Sequence, residues 1–138
     1  MKKLAKITAV VLVAIMAVAV LVACGPASNP DKAIASLERR GYTNPAKDEV
    51  LVKLPLKERG VKGIETVVIA TKSVKDGDNS KLESVTIIYF DSAASASDAY
   101  SVVEGFANSH KTNNDDWIVE QSGRMIYYGT SQAIKDAR

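Results

Sequence analysis

The sequence predicts an α+β fold: one small domain with a mainly antiparallel sheet of about five strands, its elements in the order α-β-β-β-α-β-β-α. Three observations lead there. About 108 residues run from Asp31 onward, enough for one core and too few for two. The β-rich runs come in groups joined by short turn-forming segments, as hairpins are. Two further segments keep a 3.6-residue apolar period and begin with capping residues.

The first helix is predicted over about residues 30 to 40. Asn29 suits the N-cap, Pro30 the first helical position, and Asp31 the positive end of the helix dipole. Ala33, Ile34 and Leu37 form its apolar stripe, and Gly41 provides a left-handed cap that folds Tyr42 back onto Leu37. After the turn residues Asn44 and Pro45, Glu49 to Leu54 alternates Val50, Val52 and Leu54 against Leu51 and Lys53, which reads as a strand closed by Pro55 near a sheet edge. Lys57 to Gly63 reads as a loop. Ile64 to Lys72 and Leu82 to Phe90 are two strands, joined through Ser73 to Lys81 as a hairpin with a long polar turn. Both are apolar on both faces at their centres, which predicts a central position.

Asp91 or Ser92 caps the second long helix, whose stripe is Ala96, Ala99, Tyr100, Val103, Phe106 and Ala107. Trp117 to Glu120 and Arg124 to Tyr128 flank Ser122-Gly123 as a tight hairpin. Gly129 breaks the last strand, and Thr130 or Ser131 caps a short final helix. Helices are expected to cover one face of the sheet.

The N-terminal segment obeys different rules. Lys2, Lys3 and Lys6 precede an apolar run from Ile7 to Ala23 that ends in small residues, the layout of an export signal. Leu21-Val22-Ala23-Cys24, followed by Gly25, resembles the lipobox of bacterial lipoproteins. The resemblance implies a diacylglyceryl group on the Cys24 thiol, cleavage just before it, and Cys24 as the lipidated (diacylglyceryl, palmitate-type) first residue of the mature chain. A thiol is the softest nucleophile available near neutral pH. Two acyl chains hold a protein at a membrane where one holds it only marginally.

The expected organisation is a cleaved signal peptide over 1-23, a short lipid-anchored tether over 24-30 and the domain over 31-138. The run of seventeen residues from Ile7 to Ala23 lies between the length of a signal core and that of a full span, so an uncleaved anchor and ordinary secretion are the alternatives. All three put the domain outside the cytoplasm. Fully extended, the tether reaches about 20 Å, so the domain sits close to its membrane. Gly25 is not the aspartate by which that family retains lipoproteins at an inner membrane, so a two-membrane cell implies delivery to the outer one.

Removing the signal removes three of the 18 basic residues and none of the 16 acidic ones. The mature chain, 15 against 16, is near neutral and has no Lys/Arg run, which argues against nucleic acid as a partner and offers no polybasic patch for anionic lipid. Arg39-Arg40 reads as a solvated helix end that complements the helix dipole. Cys24 is the only cysteine; once acylated it leaves the chain without a disulfide, so stability must come from packing.

Catalytic motifs are not legible. His110, the only histidine, falls at a helix end with no nominated nucleophile or orienting group, and one His without a spare Cys is a poor start for zinc. Asp76-Gly77-Asp78-Asn79-Ser80 resembles the opening of a calcium loop. It fails where glycine and the bidentate glutamate are required, because Lys81 and Ile87 stand there. Asn113-Asn114-Asp115-Asp116 lacks partner spacing, and Gly129-Thr130-Ser131 reads as capping rather than an anion site. No catalytic residue, metal or cofactor is expected.

The remaining candidate is aromatic. Trp117, Tyr127 and Tyr128 lie in the final hairpin, and consecutive strand residues face opposite ways. One tyrosine enters the core; on a sheet covered on one side the other joins Tyr89 or Phe90 in an exposed patch that could bind a partner. The alternative is core packing on a sheet covered on both sides. The expectation is a lipid-anchored lipoprotein on the extracytoplasmic face of the cell membrane. It would act as a non-catalytic binding or interaction module for an envelope protein or ligand, the rivals being a small cell-envelope enzyme and a structural envelope protein.

Overall fold

The side chain of Asp48 decides how the first half of the domain is built. In the computed structural model, which describes residues 25–112 and 116–138, its carboxylate accepts four backbone N–H groups. Val50 and Leu51 donate to Oδ1 at 3.2 and 2.8 Å, Val52 and Lys53 to Oδ2 at 2.7 and 3.1 Å. Those donors are the ones a strand over Glu49 to Leu54 would have given to a ladder. An aspartate that captures its own downstream amides withdraws them from the sheet. The chain turns instead and enters a short helix, Lys53–Glu58.

Pro55 falls inside the first turn of this helix, where a missing N–H costs nothing. Gly60, at φ 89°, closes it: Val61 N donates to Leu56 O at 3.0 Å and Gly60 N to Lys57 O at 3.0 Å, the paired bonds of a glycine-terminated helix. The first strand lies earlier, at Thr43–Lys47, across the residues expected to be a turn. Pro45 is tolerated there because the strand is at the edge of the sheet. Asn44 takes a positive φ of 43° and the register shifts between Thr43 and Ala46.

The elements are α1 (Pro30–Arg39), β1 (Thr43–Lys47), α2 (Lys53–Glu58), β2 (Ile64–Asp76), β3 (Asn79–Phe90), α3 (Ala93–Ser109), β4 (Ile118–Ser122), β5 (Met125–Gly129) and α4 (Ser131–Asp136). The fold is α+β, with the predicted order intact apart from the added α2. The five strands form one sheet, β1-β2-β3-β5-β4, with every pairing antiparallel. The long polar turn expected between β2 and β3 is paired ribbon as far as Asp76 and Asn79. Only Gly77 and Asp78 make the turn, Gly77 at φ 65°.

The caps of α1 and α3 follow the sequence. Asn29 Oδ1 accepts from Asp31 N at 2.9 Å, and Tyr42 N donates to Leu37 O at 3.1 Å beyond Gly41. Ser92 Oγ accepts from Ser95 N at 3.1 Å. For α4 the cap comes from elsewhere: Thr130 makes no side-chain cap, and Asp116 Oδ2 accepts from Ser131 N at 3.1 Å and Ser131 Oγ at 2.6 Å.

Helices cover both faces, not one. Leu37, Tyr42, Val68, Ile87, Tyr89, Tyr127 and Ile134 fill the layer beneath α1 and α4. Val52, Leu56, Val67, Ile88, Phe90, Val103, Phe106, Ile126 and Tyr128 fill the layer beneath α2 and α3. The two-sided hydrophobicity of β2 and β3 requires this: a strand apolar on both faces loses stability for every face left open. At the end of β5 the sheet closes tightly. Gly129 has φ 144°, and a β-carbon there would lie 2.0 Å from the carbonyl oxygen of Ser84.

Candidate functional site

The expected tether is part of the domain. Gly25 and Pro26 are buried. Ala27 N donates to Ala137 O at 2.9 Å, and Tyr89 Oη donates to Ala27 O at 2.8 Å. A β-carbon on Gly25 would stand 3.1 Å from Tyr127 Oη, and Tyr127 Oη donates to Glu120 Oε2 at 2.9 Å. The backbone thus reaches the sheet before Asn29 starts α1, and no slack of 20 Å separates residue 25 from the fold. Burial holds the Tyr89 hydroxyl well above its ordinary pKa, so it stays a neutral donor to this seat. Cys24 and the lipobox-like residues Leu21, Val22 and Ala23 lie outside the described residues.

Tyr127 and Tyr128 face opposite sides of the sheet, as alternation requires, but both are 3% exposed. With both faces covered, the anticipated open-face patch of Trp117, Tyr127 and Tyr128 has no face to occupy. Trp117 is half-buried and packs its ring against Tyr128, centroids 5.9 Å apart. Burial pushes the Tyr128 hydroxyl up to about 12; a hydrogen bond with Thr86 opposes this and the charge of Asp48 adds to it. These rings hold the core together.

The other sequence candidates have structural duties. The Nδ1 of His110 lies 2.8 Å from Phe106 O and its ring rests on Phe106 at 4.3 Å, an exposed helix end. Asp76 to Ser80 is the tip of the β2–β3 hairpin. Of the Asn113 to Asp116 run, Asp116 caps α4 and the rest lie outside the described residues. Among the described residues, no group of three or more His, Cys, Asp or Glu side chains is placed to hold a metal ion.

Two surface features were not singled out in advance. The first is a cleft of about 370 Å³ between the C-terminal ends of α1 and α4, lined by Ser36, Arg39, Arg40, Lys135, Asp136 and Arg138 among others. Arg39 Nη2 donates to Ser36 Oγ at 3.0 Å, and Ser36 Oγ donates to Arg138 O. Asp136 accepts from Tyr42 Oη at 2.8 Å and Gln132 Nε2 at 2.9 Å, and Arg40 Nη1 lies 3.9 Å away. Burial raises the Tyr42 hydroxyl far above its ordinary pKa, the Asp136 hydrogen bond and the Asp136 and Glu83 charges add to this, and Arg40 opposes it.

Nearby, Lys72 Nζ donates to Arg40 O at 2.7 Å, ending α1. Glu83 is buried, with Lys81 Nζ at 3.3 Å from Oε1 and Oε2 unpartnered among the described residues. Arg39, Arg40, Lys135 and Arg138 outnumber Asp136 and the main-chain carboxyl of Arg138 in the lining, an excess of cations that favours an anionic group in the cleft. In sequence they were visible only as helix-end charges, because α4 brings Lys135 and Arg138 back to Arg39 and Arg40 through tertiary packing.

The second feature is the Asp48 turn. Val50, Leu51 and Leu54 are 65%, 73% and 46% exposed, while Val52 and Leu56 anchor the segment in the core. Burial would raise the Asp48 carboxyl, but the N–H groups of Leu51, Lys53, Val52 and Val50 outweigh it and hold the pKa below its ordinary value. The turn is thus tied down while its aliphatic side chains point outward.

Comparison with protein-family models, with curated proteins and with solved structures finds no match for this chain.

Proposed function

We propose that this chain is a bacterial lipoprotein, anchored through a diacylglyceryl Cys24 on the extracytoplasmic face of the cell membrane, where its α+β domain acts as a non-catalytic binding or interaction module. The lipobox-like Leu21-Val22-Ala23-Cys24 behind Lys2, Lys3, Lys6 and the apolar run supports the anchor. The observation that carries the reading is the seat of Gly25 to Ala27: the residue after the lipobox cysteine is already packed on Tyr127. A lipid on Cys24 would bring the domain wall, not a distant receptor on a leash, to the bilayer. In a two-membrane cell Gly25 favours outer-membrane delivery.

The cleft at the ends of α1 and α4 offers this module a place for a ligand, and its excess of cationic side chains suits a carboxylate or phosphate group. Mass spectrometry of the mature N-terminus tests the anchor. Acylated Cys24 as first residue is the expected result, with unprocessed precursor accumulating in Cys24→Ser. A mature terminus at Cys24 or Gly25 without lipid overturns the proposal.

A further inference from the structure

The Asp48 turn displays two of the most exposed large aliphatic side chains of the described residues, Val50 and Leu51, with Leu54 on the first turn of α2. A flexible loop could tuck such side chains away. This one cannot, because four amide bonds to a single buried carboxylate fix its backbone, and exposed aliphatic clusters of this kind mark contact surfaces.

Charge around the turn identifies the contact. Between Lys47 and Lys62 the chain has five basic residues, Lys47, Lys53, Lys57, Arg59 and Lys62, against Asp48, Glu49 and Glu58. Asp48 is spent on the backbone, Glu49 is paired with Lys53 at 2.9 Å, and Lys47 with Asp31 at 3.2 Å. Lys57, Glu58 and Lys62 remain exposed, and Arg59 lies over the Phe106 ring at 5.2 Å. The rest of the mature chain holds ten basic and thirteen acidic residues, so although the sequence has no Lys/Arg run this is its basic segment, and aliphatic side chains interleaved with cations suit a surface that is apolar within and anionic at its rim.

Position agrees. Asp48 N donates to Val67 O at 2.8 Å, and Ala27 is bonded to Tyr89, which pairs with Thr66 and Met125. The turn and the N-terminal seat are therefore at the same end of the sheet, where β2 begins, the turn anchored in the layer beneath α2 and α3 and the seat in the layer beneath α1 and α4.

We propose that Val50, Leu51 and Leu54 form a wedge that enters the headgroup region of an anionic bilayer, a second membrane contact that orients the domain. The location of that bilayer rests on the lipoprotein reading; the wedge itself is measured separately. Leu51→Trp and, as a control on α3, Ser101→Trp are introduced into the full chain. Each is mixed with phosphatidylcholine/phosphatidylglycerol vesicles whose acyl chains are brominated, and fluorescence is compared with the parent containing Trp117 alone.

Quenching at position 51 at least about twofold stronger than at 101 is expected for a side chain at the acyl boundary. Equal quenching overturns the wedge, including the case in which position 51 responds only to an added envelope-protein fraction. Val50→Trp repeats the measurement should Leu51→Trp fold poorly. The Cys24 mass of the same preparations keeps the two ideas apart: strong quenching without a diacyl group supports the wedge and overturns the anchor, and a diacyl group without quenching does the reverse.

Discussion

The Asp48 turn and the β4–β5 hairpin exchange the roles their sequences suggest. Tyr127 and Tyr128 lie in a short hairpin at one side of the sheet, where the sequence left open an exposed ring or core packing under two covered faces, and both are buried. Val50 and Leu51 lie in a run that alternates like a half-buried strand, yet both project into solvent. The difference is in where the backbone N–H groups go. In β5 they pair with β3 and β4, and helices close over both faces. In the turn one carboxylate takes four in a row, from Val50 to Lys53. Residue type proposes burial, but backbone hydrogen bonding disposes of the side chains.

The hairpin is the firmer of the two, so changes there should cost most. Tyr128→Ala should destabilise the domain by about 3–5 kcal/mol, the range for emptying a buried aromatic site, in denaturant titration. A cost within about 0.5 kcal/mol, the ordinary surface value, would mean that the face beneath α3 is open after all. Gly129→Ala should be similarly severe, by roughly 3–4 kcal/mol, because left-handed strain and a collision with the sheet add. A β-carbon 2.0 Å from Ser84 O can be accepted only if β3 and β5 separate. Little change in the denaturation midpoint would show that the strands do not approach so closely.

For the turn, Asp48→Ala should cost roughly 2–3 kcal/mol, since amides bonded to a carboxylate are left unpaired. It should also change how stability depends on pH. Because the folded pKa of Asp48 is lowered, its contribution is complete above the ordinary aspartate value of about 3.9. It is lost as pH falls below that value through the lowered folded one. Stability measured at neutral pH and near pH 3 should therefore fall more steeply in the parent than in Asp48→Asn. Parallel curves would show that the four amide bonds do not depend on the carboxylate charge.

Much of this arrangement could be read from the chain. The caps at Asn29, Gly41 and Ser92, the stripe of α3 and the two-sided apolar centres of β2 and β3 are local signals, and local signals survive folding. What escaped depends on competition between equally good local readings. Asp48 was one more acid before an alternating run, although Gly60, in a suitable C-cap position, hinted at a helix ending just before it. The cleft required Lys135 and Arg138 to meet Arg39 and Arg40 across about a hundred residues, a juxtaposition with no periodicity to reveal it.

The smallest expected effect separates display from structure most cleanly. Leu51→Ser should change folding stability by no more than about 0.5 kcal/mol, as expected for a side chain that leaves solvent for nothing when the domain folds. Val52→Ser, one residue along but 6% exposed, should cost about 1.5–3 kcal/mol by removing a buried aliphatic group. The two variants change adjacent residues in one tied turn, so unfolded-state and backbone effects largely cancel between them. A clear difference in denaturation midpoint supports the view that Leu51 has no internal partner and that its apolar surface is available for contact. Equal losses would mean that Leu51 packs within the domain, and the turn would then be a strut with no outward face to offer.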